Sequence, residues 1–207
     1  MPSSAITEEL IEKARAFHGH MCPGLAVGIR AAEIALQEIG PHSHDEEIVA
    51  VVETDMCGVD AIQYLTGCTF GKGNLIHRDY GKNAFSFYRR SDGKGVRIVA
   101  SRQAFASPDP EREALLEKMR AGTLSPEEEK RFWELQAALS QEILQAPLEI
   151  LFDIKEPPRE IPKHARIHQS QRCEACGEWV MATRTRQVGD KLLCIPCSEK
   201  NANLTHP

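Results

Sequence analysis

The sequence predicts an α+β protein: a helix-rich core domain with a mainly antiparallel sheet, followed by a small C-terminal zinc ribbon. Three observations predict it. Helical periodicity dominates the first forty residues and again the stretch around 110–145, short β-rich runs lie between them, and four cysteines crowd the tail. The domains this implies are residues 1–155, a linker over 156–171, and the ribbon module over 172–207.

Thr7 ahead of Glu8 and Glu9 marks a helix start, with a capping oxygen and acids near the positive end of the dipole. Leu10, Ile11, Ala14 and Phe17 give that helix its apolar stripe. It cannot run through Cys22, because Pro23 drives its predecessor toward extended geometry. Pro23 suits the first turn of a second helix, continued by Leu25, Ile29, Ala32 and Leu36 and ended at Gly40. "HSHDEE" is a polar connection, and "IVAVVE" (48–53) is a buried strand. "TDMCGVDAIQYLTG" turns into a short helix ending near Gly67, and the three glycines of "GCTFGKGN" make a tight loop. His77, Arg78 and Asp79 follow as a solvated polar edge.

"AFSFYRR" and "GVRIVAS", joined through Ser-Asp-Gly-Lys, predict a hairpin. One helix starts after "SPDP" and runs to about Ala121. A second opens at Ser125 with proline at its first position and a capping box to Glu128. "LEILFDI" (148–154) reads as a strand, and the proline-rich run after it as an extended linker.

No apolar run approaches the roughly 18 residues of a membrane span. "MPSSAITEELIEKA" lacks the basic and apolar regions of a secretory leader, so a cytoplasmic protein is expected. With no export signal, seven cysteines point to metal ligands or reactive thiols rather than disulfides. The net charge of −5 argues against nucleic acid as the main partner.

Cys173, Cys176, Cys194 and Cys197 stand as C-x2-C, seventeen residues, C-x2-C. Each C-x2-C turn directs two sulfurs to one point, and two turns complete a closed tetrahedral thiolate site, which suits structural zinc. The apolar residues between them are too few to fold unaided, so the metal supplies most of the module's folding energy. From His164 onward, six basic and four acidic residues leave only +2, which favours protein contact or dimer formation over nucleic acid.

"FHGHMCPG" (17–24) holds the other candidate site. On a helix His18 and Cys22 would share a face; on an extended segment His20 and Cys22 would share a side. Pro23 favours the extended form, which pairs His20 with Cys22 and leaves His18 as an outer or substrate-facing group. Cys22 precedes a helix N-terminus, where backbone N–H groups lower a thiol pKa, and Cys57 repeats that context. His20, Cys22 and Cys57 would form an open three-ligand site for zinc, iron or nickel. Asp55 and Asp60 flank Cys57 and could cap the next helix or orient a metal-bound histidine. "GCTFGKGN" lacks the spacing and the hydroxyl of a phosphate loop. Its Cys68 is a further thiol candidate, and Lys72 could meet an anion.

Together, "FHGHMCPGLAVGIRAAEIAL", "DMCGVDAIQYLTGCTFGKGNL" and "DYGKNAFSFY" resemble the FmdE family of formylmethanofuran dehydrogenase operons over about residues 7–155. The resemblance implies a metal-binding cleft, a homodimer and a C-terminal ribbon. The family's H-x-C pattern falls on His20 and Cys22, its second cysteine on Cys57, and its glycine-rich loop on Cys68 and Lys72. The family takes its name from an operon for a molybdenum or tungsten enzyme that handles formyl groups. Two functions follow most directly. One is a metal-dependent enzyme or redox component, with His18, Cys68 and Lys72 as candidate catalytic groups. The other is an accessory or metal-delivery protein docking on a molybdenum or tungsten dehydrogenase, and a ribbon-based nucleic-acid regulator ranks third.

Overall fold

The structure, a computed structural model, describes residues 6–204 except 43, 46, 107, 108 and 159. The first five residues of the leader reading, the last three of the ribbon module, and parts of "HSHDEE", "SPDP" and the linker therefore lie outside the described residues. The chain forms two compact units, Met1–His164 and Ala165–Pro207.

In the first unit, Thr7 Oγ1 accepts the Leu10 N–H at 3.3 Å and starts α1 (Glu8–His18), which Gly19 ends in the left-handed region at φ 100°. Cys22 is the extended N-cap of α2 (Pro23–Glu38), with its Sγ accepting the Leu25 N–H at 3.4 Å. This helix is buried almost all round, from Leu25 through Ala35, so it is the central element of the helical layer. It packs against α3 (Gly58–Thr66) and α5 (Pro126–Gln145), the second member of an antiparallel pair with α4 (Pro110–Ala121).

The sheet runs in the order β2-β1-β3-β4-β5. Its strands are β1 (Ile48–Val52), β2 (Leu75–His77), β3 (Ala84–Arg89), β4 (Gly95–Ala100) and β5 (Phe152–Lys155). Only β1 and β2 pair in parallel; the other neighbours are antiparallel. Alternation sorts the side chains: Ala50, Val52, Phe85, Phe87, Val96 and Ile98 join the core with the helices, while Val49, Val51 and Tyr88 face the other way.

Two elements differ from the sequence reading. β2 has only three residues, too few for a periodic signal, and its place beside β1 comes from tertiary pairing. "LEILFDI" divides into a helical turn, α6 (Leu148–Leu151), and β5, because Pro147 starts a turn before the β-rich residues begin. The first part of the proline-rich segment lies along the outer sheet face. There the Tyr88 hydroxyl donates to Pro158 O at 3.1 Å and Ile161 packs on the Val49 cluster.

On that outer face Glu53, directly after β1, meets Arg97 of β4 in a two-pronged ion pair of 2.5 and 2.9 Å, with Arg97 also donating to Ser86 Oγ at 3.2 Å. The side chains are 8% and 17% exposed. The Arg97 guanidinium holds the Glu53 carboxyl below its ordinary value. Its stabilisation is therefore complete above the usual carboxylate pKa and is lost as pH falls through the lower folded-state value. Arg97→Met should cost about 3–5 kcal/mol near neutrality, because it strands a buried charge. In urea unfolding the gap to wild type should narrow as pH drops from about 7 to about 3; a gap constant across that range would show that the pair does not act as an ion pair.

The second unit is two hairpins and a helix: β6 (Ser170–Arg172) with β7 (Trp179–Met181), β8 (Thr185–Val188) with β9 (Lys191–Cys194), and α7 (Ile195–Leu204). Its interior is Cys173, Leu193 and Cys194, flanked by half-buried Val180, Val188 and Cys197. Trp179, the largest apolar residue of the module, is 72% exposed.

Candidate metal centre

In the second unit the Sγ atoms of Cys173, Cys176, Cys194 and Cys197 all lie within 4.8 Å of one another. Cys176 and Cys194 are 3.9 Å apart, close to the roughly 3.8 Å between two thiolates on a tetrahedral zinc with 2.3 Å bonds. N–H donors from Cys176 and Cys194 lower the Cys173 thiol to about 6, so one thiolate forms readily. Crowding by the neighbouring thiols, Cys194 first, raises Cys197 to about 12. A divalent cation relieves that crowding, and the donor set fits structural zinc.

A second group lies in the first unit. His18, Cys22 and Cys57 place one donor atom each within 4.8 Å of one another. Each donor comes from a helix end: His18 is the last residue of α1, Cys22 caps α2, and Cys57 directly precedes α3. His18 Nδ1 is 2.7 Å from Asp60 Oδ2, which leaves Nε2 toward Cys22 Sγ at 3.9 Å. A carboxylate behind a ligating imidazole fixes its ring orientation and tautomer. Two thiolates, one imidazole and an orienting carboxylate fit a borderline-soft divalent metal.

Glycine brings the cysteines together. A Cβ on Gly24 would lie 3.2 Å from Cys57 Cβ, and one on Gly28 would lie 2.3 Å from the Gly58 carbonyl oxygen. α2 and α3 therefore meet backbone to backbone beside the thiols. Burial raises the Cys22 thiol to about 11, outweighing the Leu25 N–H, so the helix N-terminus does not activate it as the sequence suggested. A metal must displace that proton.

A cleft of about 460 Å³ opens over the group, with His18, Cys57 and Asp60 in its lining and Cys22, 7% exposed, behind them. Asp55, Met56, Gln63, Phe70 and His77 form other parts of its wall. Two larger hollows, of about 490 Å³ beside His42 and about 620 Å³ between α1 and α5, contain none of the donor groups found among the described residues.

Residues 17–153, which include all three donors of the cleft, match the family described as FmdE, molybdenum formylmethanofuran dehydrogenase operon. The chain belongs to this family. Residues 168–201 of this FmdE protein match the prokaryotic dksA/traR C4-type zinc finger. A crystal structure of a tungsten formylmethanofuran dehydrogenase FmdE-like protein from Syntrophus aciditrophicus superposes with a TM-score of 0.57 at 26% identity, covering 93% of this chain and 92% of that one. A probable S-adenosyl-L-methionine-binding protein of Archaeoglobus fulgidus is 36% identical over 95% of this chain. The FmdE chain spans only about half (54%) of that relative's length. The chain is thus a metal-binding FmdE-type protein with a structural zinc ribbon.

The structure arranges several expected residues differently. His20 is exposed and outside the donor group; its ring lies tilted 4.7 Å from that of His18 and edge-on 6.1 Å from that of Trp133. Cys22 is extended, as Pro23 requires, but α1 runs as far as His18, and the turn at Gly19 folds His18 back over Cys22. Cys68 is wholly buried, donates to Ile48 O at 3.5 Å, and is pushed up to about 11 by burial, so it packs in the core rather than in the cleft. Lys72 reaches Asp45 O at 3.3 Å and does not line the cleft. Cys57 caps α3 without a side-chain hydrogen bond; Asp60 holds His18, and Asp55 lines the cleft. The structure adds Gly28, Gly58, Phe70 and His77. The i, i+4 pair Gly24 and Gly28 on a predicted helix was the available signal for close helix approach.

Proposed function

We propose that this protein is a metal-dependent enzyme or redox component that works in the cleft over His18, Cys22 and Cys57. The observation that carries this reading is a three-donor group of which His18 and Cys57 line a cleft of about 460 Å³. Three protein ligands leave a position open for a further ligand. Bound there, a divalent metal supplies Lewis-acid polarisation or an activated water. Asp60 keeps His18 in its ligating tautomer, and His77 and Asp55 are the titratable wall groups available to hold or move a proton.

A metal-delivery role calls for an exposed, exchangeable site. Cys22 is 7% exposed and the His18 side chain 11%, which supports retention of the metal. The mixed donor set suits zinc, iron or nickel. The proposal includes a homodimer to which the ribbon contributes, and association with a molybdenum or tungsten dehydrogenase, the latter in keeping with the family's description by a molybdenum formylmethanofuran dehydrogenase operon.

Metal analysis by inductively coupled plasma mass spectrometry is the test. Wild type should hold two metals per chain and Cys22→Ala one, at unchanged secondary structure. A wild type that holds only the ribbon's metal overturns the cleft site.

A further inference from the structure

We infer that the cleft binds a small molecule with a flat, uncharged apolar or aromatic body that packs against Phe70 and Met56 and presents a metal-donor group inward. This rests on the metal reading above and names the class of ligand.

Phe70 is 77% exposed and Met56 59% exposed, both in the wall of one cleft. The loop that carries Phe70 is firmly held. Phe70 N–H donates to Gln63 Oε1 at 3.3 Å, and Thr69 N–H donates to Asn74 Oδ1 at 2.9 Å, with Asn74 itself wholly buried and bonded to Ile48 O at 2.9 Å. A fixed loop that holds a phenylalanine in water beside an exposed methionine presents apolar surface for a ligand to cover. The charge balance selects the body of that ligand. Two thiolates balance a divalent cation, and Asp55 and Asp60 make the wall acidic, so beyond a donor head held by the metal the ligand's body should carry no negative charge.

Two hydroxamic acids with the same donor head and different bodies test this. Acetohydroxamic and benzohydroxamic acid are titrated calorimetrically into the protein, core and ribbon together, loaded with two zinc ions per chain. The ribbon's four thiolates leave it no open position, so it does not compete. Benzohydroxamic acid should bind about tenfold more tightly. Phe70→Ala should reduce that advantage to about twofold while leaving acetohydroxamic acid unchanged. Equal binding of the two acids to wild type, or an advantage that survives in Phe70→Ala with Met56→Ala, overturns the apolar subsite and leaves the metal site standing. Binding of neither acid to the two-zinc protein overturns the open metal position and the subsite with it.

Discussion

Cys176→Ala is expected to lose one metal and unfold the C-terminal unit while residues 1–164 stay folded. Among the described residues of Ala165–Pro207 the buried interior is three residues, two of them cysteines, and the largest apolar side chain is in solvent. Burial on that scale cannot offset the entropy of ordering some forty residues. Zinc binding of about 10–16 kcal/mol can, so the metal and the fold stand or fall together. The substitution isolates this effect better than a chelator, which would also remove the proposed cleft metal. Limited proteolysis and amide NMR should show cleavage and collapsed dispersion confined to the last forty or so residues. A single cooperative loss across the whole chain would show instead that the ribbon is part of the core's folding unit.

Gly28→Ala should both destabilise the first unit and cost it the cleft metal. Its new methyl would lie 2.3 Å from Gly58 O, 2.5 Å from Gly58 Cα and 2.8 Å from Gly58 C, all backbone atoms that no rotamer change can remove. α2 and α3 must separate. Overpacking of this kind costs about 1–3 kcal/mol, of which alanine's better helix propensity returns at most about 1 kcal/mol. Cys57 precedes Gly58 directly, so the separation also draws its thiol away from Cys22. Metal content should fall from two to one, with the ribbon zinc retained. Gly71→Ala is the matched control, because its Cβ meets nothing within 4 Å. A Gly28→Ala protein with unaltered Tm and both metals would refute the close-approach account.

Much of this architecture was legible in the sequence because its signals are local. Thr7, Pro23, Gly67 and the Ser125–Glu128 capping box each act within a turn, and helix ends follow from them. The ribbon was legible for the same reason: its thiols come in two pairs, each close in sequence. What escaped was non-local. β2 exists because β1 is there to pair with it, and Glu53 finds Arg97 across two strand registers. Preferring His20 to His18 required knowing how far α1 extends, and Pro23 speaks only for the residue before it. Cys68 and Lys72 sit in a glycine-rich loop that looks chemical in one dimension, and only packing shows that one thiol is sealed in the core while the amine turns away.

The three donors and the carboxylate behind His18 all fall between residues 18 and 60. Translation runs from the N-terminus, so a nascent chain carries the complete ligand set before β3, β4 and β5 have been made. α1, α2 and α3 can gather around a metal while the sheet is still short of its centre. On the proposed reading, metal bound at that stage would hold these three helix ends together before the later strands and helices are added.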